Sequence, residues 1–295
     1  MNRIVLAHSG GLQTLVGIPW LAARRRAEVV TVTLDIGQRP SLEDIHERAL
    51  AMGAARAHVI DARERFAREF VVPALGAHTA SAECAPLMQS LALAAIAKHA
   101  VEIAHIEGAG AIAFGGADAT MDALLQDLDP AIKRIALPAA GTAAWEDAMA
   151  HARLRGVPLP APADAVPVTK SATVTPDLPA FVEIEFDGGV PVRINDVEMP
   201  LVDLMLSLET IAGAHGVGRP DIADVAEHRW SPVAHVLQRA HADLQRVVDL
   251  GDSREEDLSG VVRLRLFKGD CGSAGARPQA KHVPSPLALV ESASR

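Results

Sequence analysis

The chain has 295 residues, 49% of them hydrophobic, which is enough apolar material for a sizeable core in one large domain or two ordinary ones. Its formal net charge of -9, from 28 Lys and Arg against 37 Asp and Glu, offers no broad basic face for nucleic acid and no polybasic membrane tag. The two cysteines, Cys84 and Cys271, stand far apart and outside any CxxC or His-rich spacing, so neither a disulfide framework nor a zinc knuckle is indicated and a reducing cytoplasm fits.

The opening MNRIVLAHSGG turns to glycine before a leader's apolar region forms, and no run approaches the length of a membrane span. A cytoplasmic protein is expected. Arg3 to His8 reads as a buried strand, Gly10 and Gly11 as a tight turn, and Thr14 to Arg26 as a helix with Leu15, Ile18 and Leu21 on one side. Pro19 counts against that helix. Val29 to Leu34 reads as a second strand, followed by a helix capped by Ser41 with Glu43 and Asp44 in its first turn. Ala57 to Ile60 is a third strand, Pro86 to Ile106 a buried helix, Ala111 to Phe114 a fourth strand and Arg134 to Ala136 a short fifth.

Strands alternating with helices predict a parallel sheet covered on both faces, so the first half is α/β. Val157 to Pro179 is rich in Pro, Ala and Thr without a sustained period and reads as a linker. Beyond it, Phe181 to Phe186 and Val190 to Ile194 flank Asp187-Gly188-Gly189, a hairpin signal. Helices over Pro200 to Ala214 and about Pro232 to Val248 precede a strand at Gly260 to Phe267, so the second half is α+β. The expected boundaries are a nucleotide domain over 1–165, a linker over 166–180, a smaller domain over 181–275 and an extended tail over 276–295.

Chemistry concentrates in the first turn. A strand, then Ser9-Gly10-Gly11-Leu12-Gln13-Thr14, then a helix is a phosphate-loop arrangement: glycines let the backbone approach an anion and the helix N-terminus supplies N–H groups. With no Lys after the glycines it is neither GxGxxG nor Walker A. A plain strand-to-helix turn is the competing reading. The turn resembles the SGGxD[ST] loop of ATP pyrophosphatases.

Further segments carry a wider resemblance. IVLAHSGGLQT, VTLDIGQ at Val32 to Gln38, AHVIDARERF ending at Phe66, IAKHAVEIAHIEGAGAIAFGG at Ile96 to Gly116, VEIEFDGGVPVRIN at Val182 to Asn195, IAGAHGVGRPDI at Ile211 to Ile222 and SGVVRLRLFKGDC at Ser259 to Cys271 follow the order of the argininosuccinate synthase family. The resemblance implies a HUP-like, ATP-pyrophosphatase nucleotide domain followed by a smaller α+β synthetase domain, usually within a homo-oligomer. It implies ATP and Mg²⁺ as cofactors and the joining of citrulline to aspartate through an adenylate.

Carried over by position, the resemblance assigns Ala7, His8, Ser9, Gly10, Gly11, Leu12, Gln13, Thr14, Leu34 and Gly115 to ATP, and Asp122 to the amino-acid substrate. No catalytic side chain or metal ligand is assigned. Departures cluster on the amino-acid side: where the family has polar Thr, Lys, Asn and Arg, this chain has Ala117, Ala119, Met121 and Leu125, and the substrate segments after Lys170-Ser171 and His228-Arg229 are shortened. In the ATP loop, His8 replaces the usual Tyr and Gln13 the usual Asp. Two readings stay open: a ligase with altered amino-acid binding, or a non-catalytic nucleotide-binding paralogue that serves as a regulator or as the subunit of a hetero-partner.

Overall fold

The computed structural model describes residues 2–37, 42–77, 84–115, 119–159, 174–218, 231–250 and 258–279. By internal contacts the chain divides into two compact units, Met1–Phe66 with Gln89–Val166, and Ala67–Met88 with Pro167–Arg295. The segment Ala67–Met88, which the sequence pattern keeps with the first half, groups with the second. Ser41, Gly116 to Asp118, Lys170-Ser171 and His228-Arg229 lie outside the described residues.

The first unit holds strands β1 (Arg3–Ala7), β2 (Glu28–Asp35), β3 (Arg56–Asp61), β4 (Ala111–Phe114) and β5 (Lys133–Ala136) in one sheet of order β3-β2-β1-β4-β5, every pair parallel. Its helices are α1 (Leu12–Arg25), α2 (Leu42–Ala51), α3 (Arg63–Phe66), α5 (Cys84–Glu107), α6 (Ala119–Leu128) and α7 (Ala143–Arg153), with α4 (Val72–Ala77) belonging to the second unit. Alternation along the strands divides their side chains between two faces. Ile4 and Leu6 join Leu15, Ile18 and Leu21 of α1, Ala49 of α2 and Ala148 and Ala152 of α7 on one face. Val5, Val30, Ile112 and Phe114 join Ala97, Ala100 and Ala104 of α5 and Met121 and Leu125 of α6 on the other. This is the doubly covered parallel sheet that the sequence pattern predicts.

Two details differ from the sequence reading. Helix α1 runs through Pro19, which is buried within it; packing of that face against the sheet offsets the backbone bond a proline cannot make. Leu87–Glu107 within α5 is long and apolar enough to cross a membrane by length and composition, contrary to the expectation that no run is, and half of that window is buried. Its alanines form the layer against β1, β2 and β4, so a helix buried on several sides carries apolar residues around its circumference.

At the start of the strands, the Glu107 carboxylate, with a side chain 1% exposed, gathers two guanidinium groups and an imidazole. Arg3 Nη1 donates to it at 3.1 Å, Arg56 Nη1 at 3.0 Å, and His58 Nε2 lies at 2.8 Å. Arg3 also donates to the Glu107 carbonyl at 2.7 Å and to Glu28 of β2 at 2.8 Å. Burial raises the Glu107 pKa, but hydrogen bonds from His58 and Arg56 outweigh it and hold the carboxyl below its usual range.

The second unit contains an antiparallel sheet of order β10-β9-β6-β7-β8, built from β6 (Ala180–Asp187), β7 (Val190–Ile194), β8 (Val197–Glu198), β9 (Gly260–Phe267) and β10 (Asp270–Pro278). Helices α8 (Leu201–Ala214) and α9 (Ser231–Leu250) belong to the same unit. Strand β9 alternates buried Val262, Leu264 and Leu266 with exposed Arg263 and Arg265, a one-sided sheet pattern. Gly188 and Gly189, at φ +56° and +81°, supply the two positive angles of the predicted β6–β7 hairpin. Cys271 is buried in β10 and its thiol is pushed up to about 12 by burial, an inert position.

Candidate functional site

In a sheet of order β3-β2-β1-β4-β5 the chain leaves β1 for β2 on one side and returns to β4 on the other. Loops after β1 and β4 therefore diverge at the carboxyl edge and open a crevice where ligands of α/β sheets bind. His8 to Gly11 follow β1, and Gly115 follows β4.

Backbone geometry shapes the first loop. His8 N–H donates to the Val32 carbonyl at 2.8 Å, holding the chain on β2 before it turns. Gly10 then takes φ +79°, and a Cβ there would stand 2.6 Å from Ile45 Cγ1. Glycine is required both by the angle and by the closeness of α2. Gly11 is the N-cap of α1, no side chain caps that terminus, and its first turn carries no acidic residue. Its backbone donors and the positive end of the helix dipole thus suit an anion.

Side chains tie the loop together. His8 Nδ1 lies 2.9 Å from Thr14 Oγ1, Thr14 Oγ1 donates to the Gly11 carbonyl at 3.2 Å, and Ser9 Oγ accepts from Gly11 N–H at 3.3 Å. Gln13 Nε2 donates to the Pro138 carbonyl at 2.9 Å, and its Oε1 lies 3.1 Å from where a Gly115 Cβ would stand. The amide therefore ties the start of α1 to the loop after β5 and lies against Gly115 after β4. Ala7 ends β1 opposite Val32, and Leu34 is buried near the end of β2. Asp122 sits on α6 with Arg134 Nε of β5 donating to it at 3.0 Å. The structure brings Ser9 to Thr14 and Gly115 together, and Asp122 makes its ion pair with Arg134.

Sequence reasoning missed the supporting residues. Ile45 under Gly10 lies four residues before Ala49 on the buried side of α2, a signal that helical periodicity carries. Nothing local marks the Pro138 carbonyl.

His8 is 4% exposed, and its pKa is pushed down to about 4, first by burial and then by the charge of Arg48. The folded ring resists a proton that the unfolded chain accepts from about pH 6.5 downward, so stability falls as pH drops from about 6.5 towards 4. Between pH 7 and pH 5 the loss is about 2 kcal/mol. Urea unfolding at the two pH values should show a loss smaller by about that amount in His8→Asn than in the wild type, the contribution of His241, also lowered by burial, being common to both. Glu107, held below the usual carboxyl range, titrates below pH 5.

The comparisons with known proteins agree with this layout. The model for the arginosuccinate synthase N-terminal HUP domain matches residues 3–158, and that for the C-terminal domain matches residues 142–252. Argininosuccinate synthase of Streptococcus suis is 36% identical over 308 aligned positions, covering 90% of this chain and 74% of that protein. The chain belongs to the argininosuccinate synthase family. Argininosuccinate synthases of Streptococcus uberis and Streptococcus agalactiae are 37% and 34% identical over the same shares. Among solved structures, NAD+ synthetase of Burkholderia pseudomallei overlaps with a TM-score of 0.34 and 18% identity, covering 54% of this chain and 61% of that one. The fold assignment rests on the family models and the sheet order instead.

Argininosuccinate synthases use ATP, and the residues present fit its phosphates: an uncapped helix start, two glycines with no side chain in the way and the exposed hydroxyl of Ser9. Magnesium fits less well. The loop offers no carboxylate, and among the described residues no group of three or more His, Cys, Asp or Glu is placed to hold a metal ion. A magnesium ion here would be held chiefly by phosphate oxygens and water.

Proposed function

We propose that the protein binds ATP in the Ser9 to Thr14 loop and is a ligase of the argininosuccinate synthase type whose amino-acid site no longer matches citrulline and aspartate. The observation that carries the nucleotide half is the positive-φ glycine turn leading into an uncapped helix at the sheet's switch point. In this reading the loop backbone and the Ser9 hydroxyl hold the phosphates. Gln13, bonded to Pro138, keeps the crevice walls in register. Charge that builds on the phosphates during adenylate formation is met by donors already in place.

The amino-acid half rests on α6. Met121 is 5% exposed and Leu125 is fully buried, both packed in the sheet's core. These are positions where the family resemblance expects the polar side chains that hold a zwitterion. A substrate carboxylate left without a cationic partner loses several kcal/mol of binding. The acceptor is accordingly a smaller or less charged ureido or carboxylate compound. The same observation supports a second reading, a non-catalytic paralogue that binds nucleotide and acts on a partner.

Pyrophosphate exchange into ATP distinguishes them. Citrulline should support little or no exchange, while one member of a panel of small ureido and carboxylate compounds should support it. Exchange with none assigns the protein to the second reading; brisk exchange with citrulline contradicts the altered site.

A further inference from the structure

The hydrogen bonds beneath the loop have a direction, and His8 sets it. Its ring is buried and, among the described residues, bonded through one nitrogen only: Nδ1 reaches Thr14 Oγ1 at 2.9 Å, whereas Nε2 is buried without a partner there. A neutral imidazole carries one N–H. On Nε2 that proton would be a buried donor with no acceptor, an arrangement folded proteins avoid more strongly than a bare acceptor. On Nδ1 it is donated to Thr14 Oγ1, and the Thr14 hydroxyl passes its own proton to the Gly11 carbonyl at 3.2 Å. The same carbonyl accepts from Leu15 N–H at 3.0 Å. Two donors thus pin it towards the helix, and because a trans peptide is planar, the Leu12 N–H on its other side points out of the α1 N-terminus.

Ser9 is oriented in parallel. Its exposed Oγ accepts Gly11 N–H at 3.3 Å, and its own proton reaches Thr14 Oγ1 only at 3.5 Å, a contact long enough for an anion in front of the loop to compete for it. Thr14 Oγ1 stands 3.5 Å from Ser9 Oγ, so the two hydroxyls are neighbours behind one anion-facing surface.

We infer that His8 is a positioning residue for a polyphosphate anion: as the Nδ1–H tautomer it acts through Thr14 to fix the Gly11–Leu12 peptide, aiming the Leu12 N–H outward. The inference rests on the reading of Ser9 to Thr14 as the ATP loop. His8 itself does not touch the ligand.

The test titrates ATP and inorganic tripolyphosphate into the wild type, His8→Asn, His8→Leu, Thr14→Val and the His8→Leu, Thr14→Val double variant by calorimetry. Asn keeps a donor near the Nδ1 position, so His8→Asn should bind within about 3-fold of the wild type, while His8→Leu and Thr14→Val each weaken binding about 10-fold. The double variant should bind no more weakly than Thr14→Val alone, because both changes break one relay. Nitrogen-15 spectra of histidine-labelled protein, with the His8 signal assigned by its loss in His8→Asn, should show Nδ1 protonated and Nε2 bare. These outcomes together support the role, and rescue by Asn separates it from simple packing.

Wild-type binding with His8→Leu unaffected overturns the inference alone, as does an Nε2-protonated ring or a double variant whose losses multiply. A folded wild type that binds neither anion at millimolar concentration overturns the inference together with the ATP reading. If His8→Leu fails to fold, the Thr14→Val titration and the spectra decide.

Discussion

Gly10→Ala should destabilise the protein by about 2–5 kcal/mol and remove nucleotide binding. Two costs add in this figure. A residue with a Cβ at φ +79° bears about 1–2 kcal/mol of strain, and forcing a methyl into packed space costs about 1–3 kcal/mol more. The added Cβ would meet Ile45 Cγ1 at 2.6 Å and Cδ1 at 2.7 Å, and Ile45 is itself buried on α2. Neither atom can swing into solvent, so relief requires moving α2 or the loop, and moving the loop dislodges the α1 N-terminus. Urea unfolding of Gly10→Ala, Ile45→Ala and the double variant checks the mechanism. The double variant should be more stable than the sum of single losses predicts, because the cavity left by Ile45 receives the methyl. Strict additivity would mean that the steric contact is not the cause.

Glu107→Ala should cost about 2–3 kcal/mol. Breaking a buried ion pair by removing one partner costs about 3–5 kcal/mol when the survivor stays buried. Here Arg3, Arg56 and His58 are 27%, 62% and 32% exposed, so the freed groups regain part of their hydration and the lower figure applies. The arrangement joins the first residues of β1 and β3 to the last turn of α5. Its loss should loosen the sheet at the edge away from the proposed ATP loop, leaving nucleotide affinity nearly unchanged. The sign with pH follows from the depressed carboxyl: its contribution is present above the unfolded-state pKa and is lost as pH falls through the folded one. Wild-type stability should therefore decline below about pH 4.5, the ordinary carboxyl range, and Glu107→Gln should show a shallower decline. Chemical denaturation across that range reads both effects.

What the sequence revealed, and what it hid, follows from the range of the interactions. The strand Ala111–Phe114 is a short apolar run closed by glycines, and Gly260–Phe267 alternates apolar and basic residues, so both are recovered with the predicted ends. Asp187-Gly188-Gly189 announces its hairpin because few residues other than glycine take two consecutive positive φ angles. Helix α7 has no clear signal in the sequence: its buried positions are the alanines Ala148 and Ala152, which carry little apolar contrast, and its Thr142 cap stands alone among Gly141 and further alanines. In helix α6, Met121 and Leu125, which the family resemblance marks as lost polar positions, stand four residues apart and form the core face.

In the site, the Ser-Gly-Gly turn was legible because its requirements are local. The role of Gln13 was not, since its partner Pro138 lies 125 residues away. The family resemblance marked His8 and Gln13 as substitutions of ATP-contacting residues; the structure places both among the bonds that shape the loop.

The central claim, that the Ser9 to Thr14 loop retains nucleotide while the amino-acid site has changed, is tested most directly by calorimetric titration of the wild type. ATP should bind with saturation by millimolar concentration, and citrulline should give no binding heat in the presence of a non-hydrolysable ATP analogue. No ATP binding by the folded protein, or tight citrulline binding to the nucleotide complex, would contradict the account.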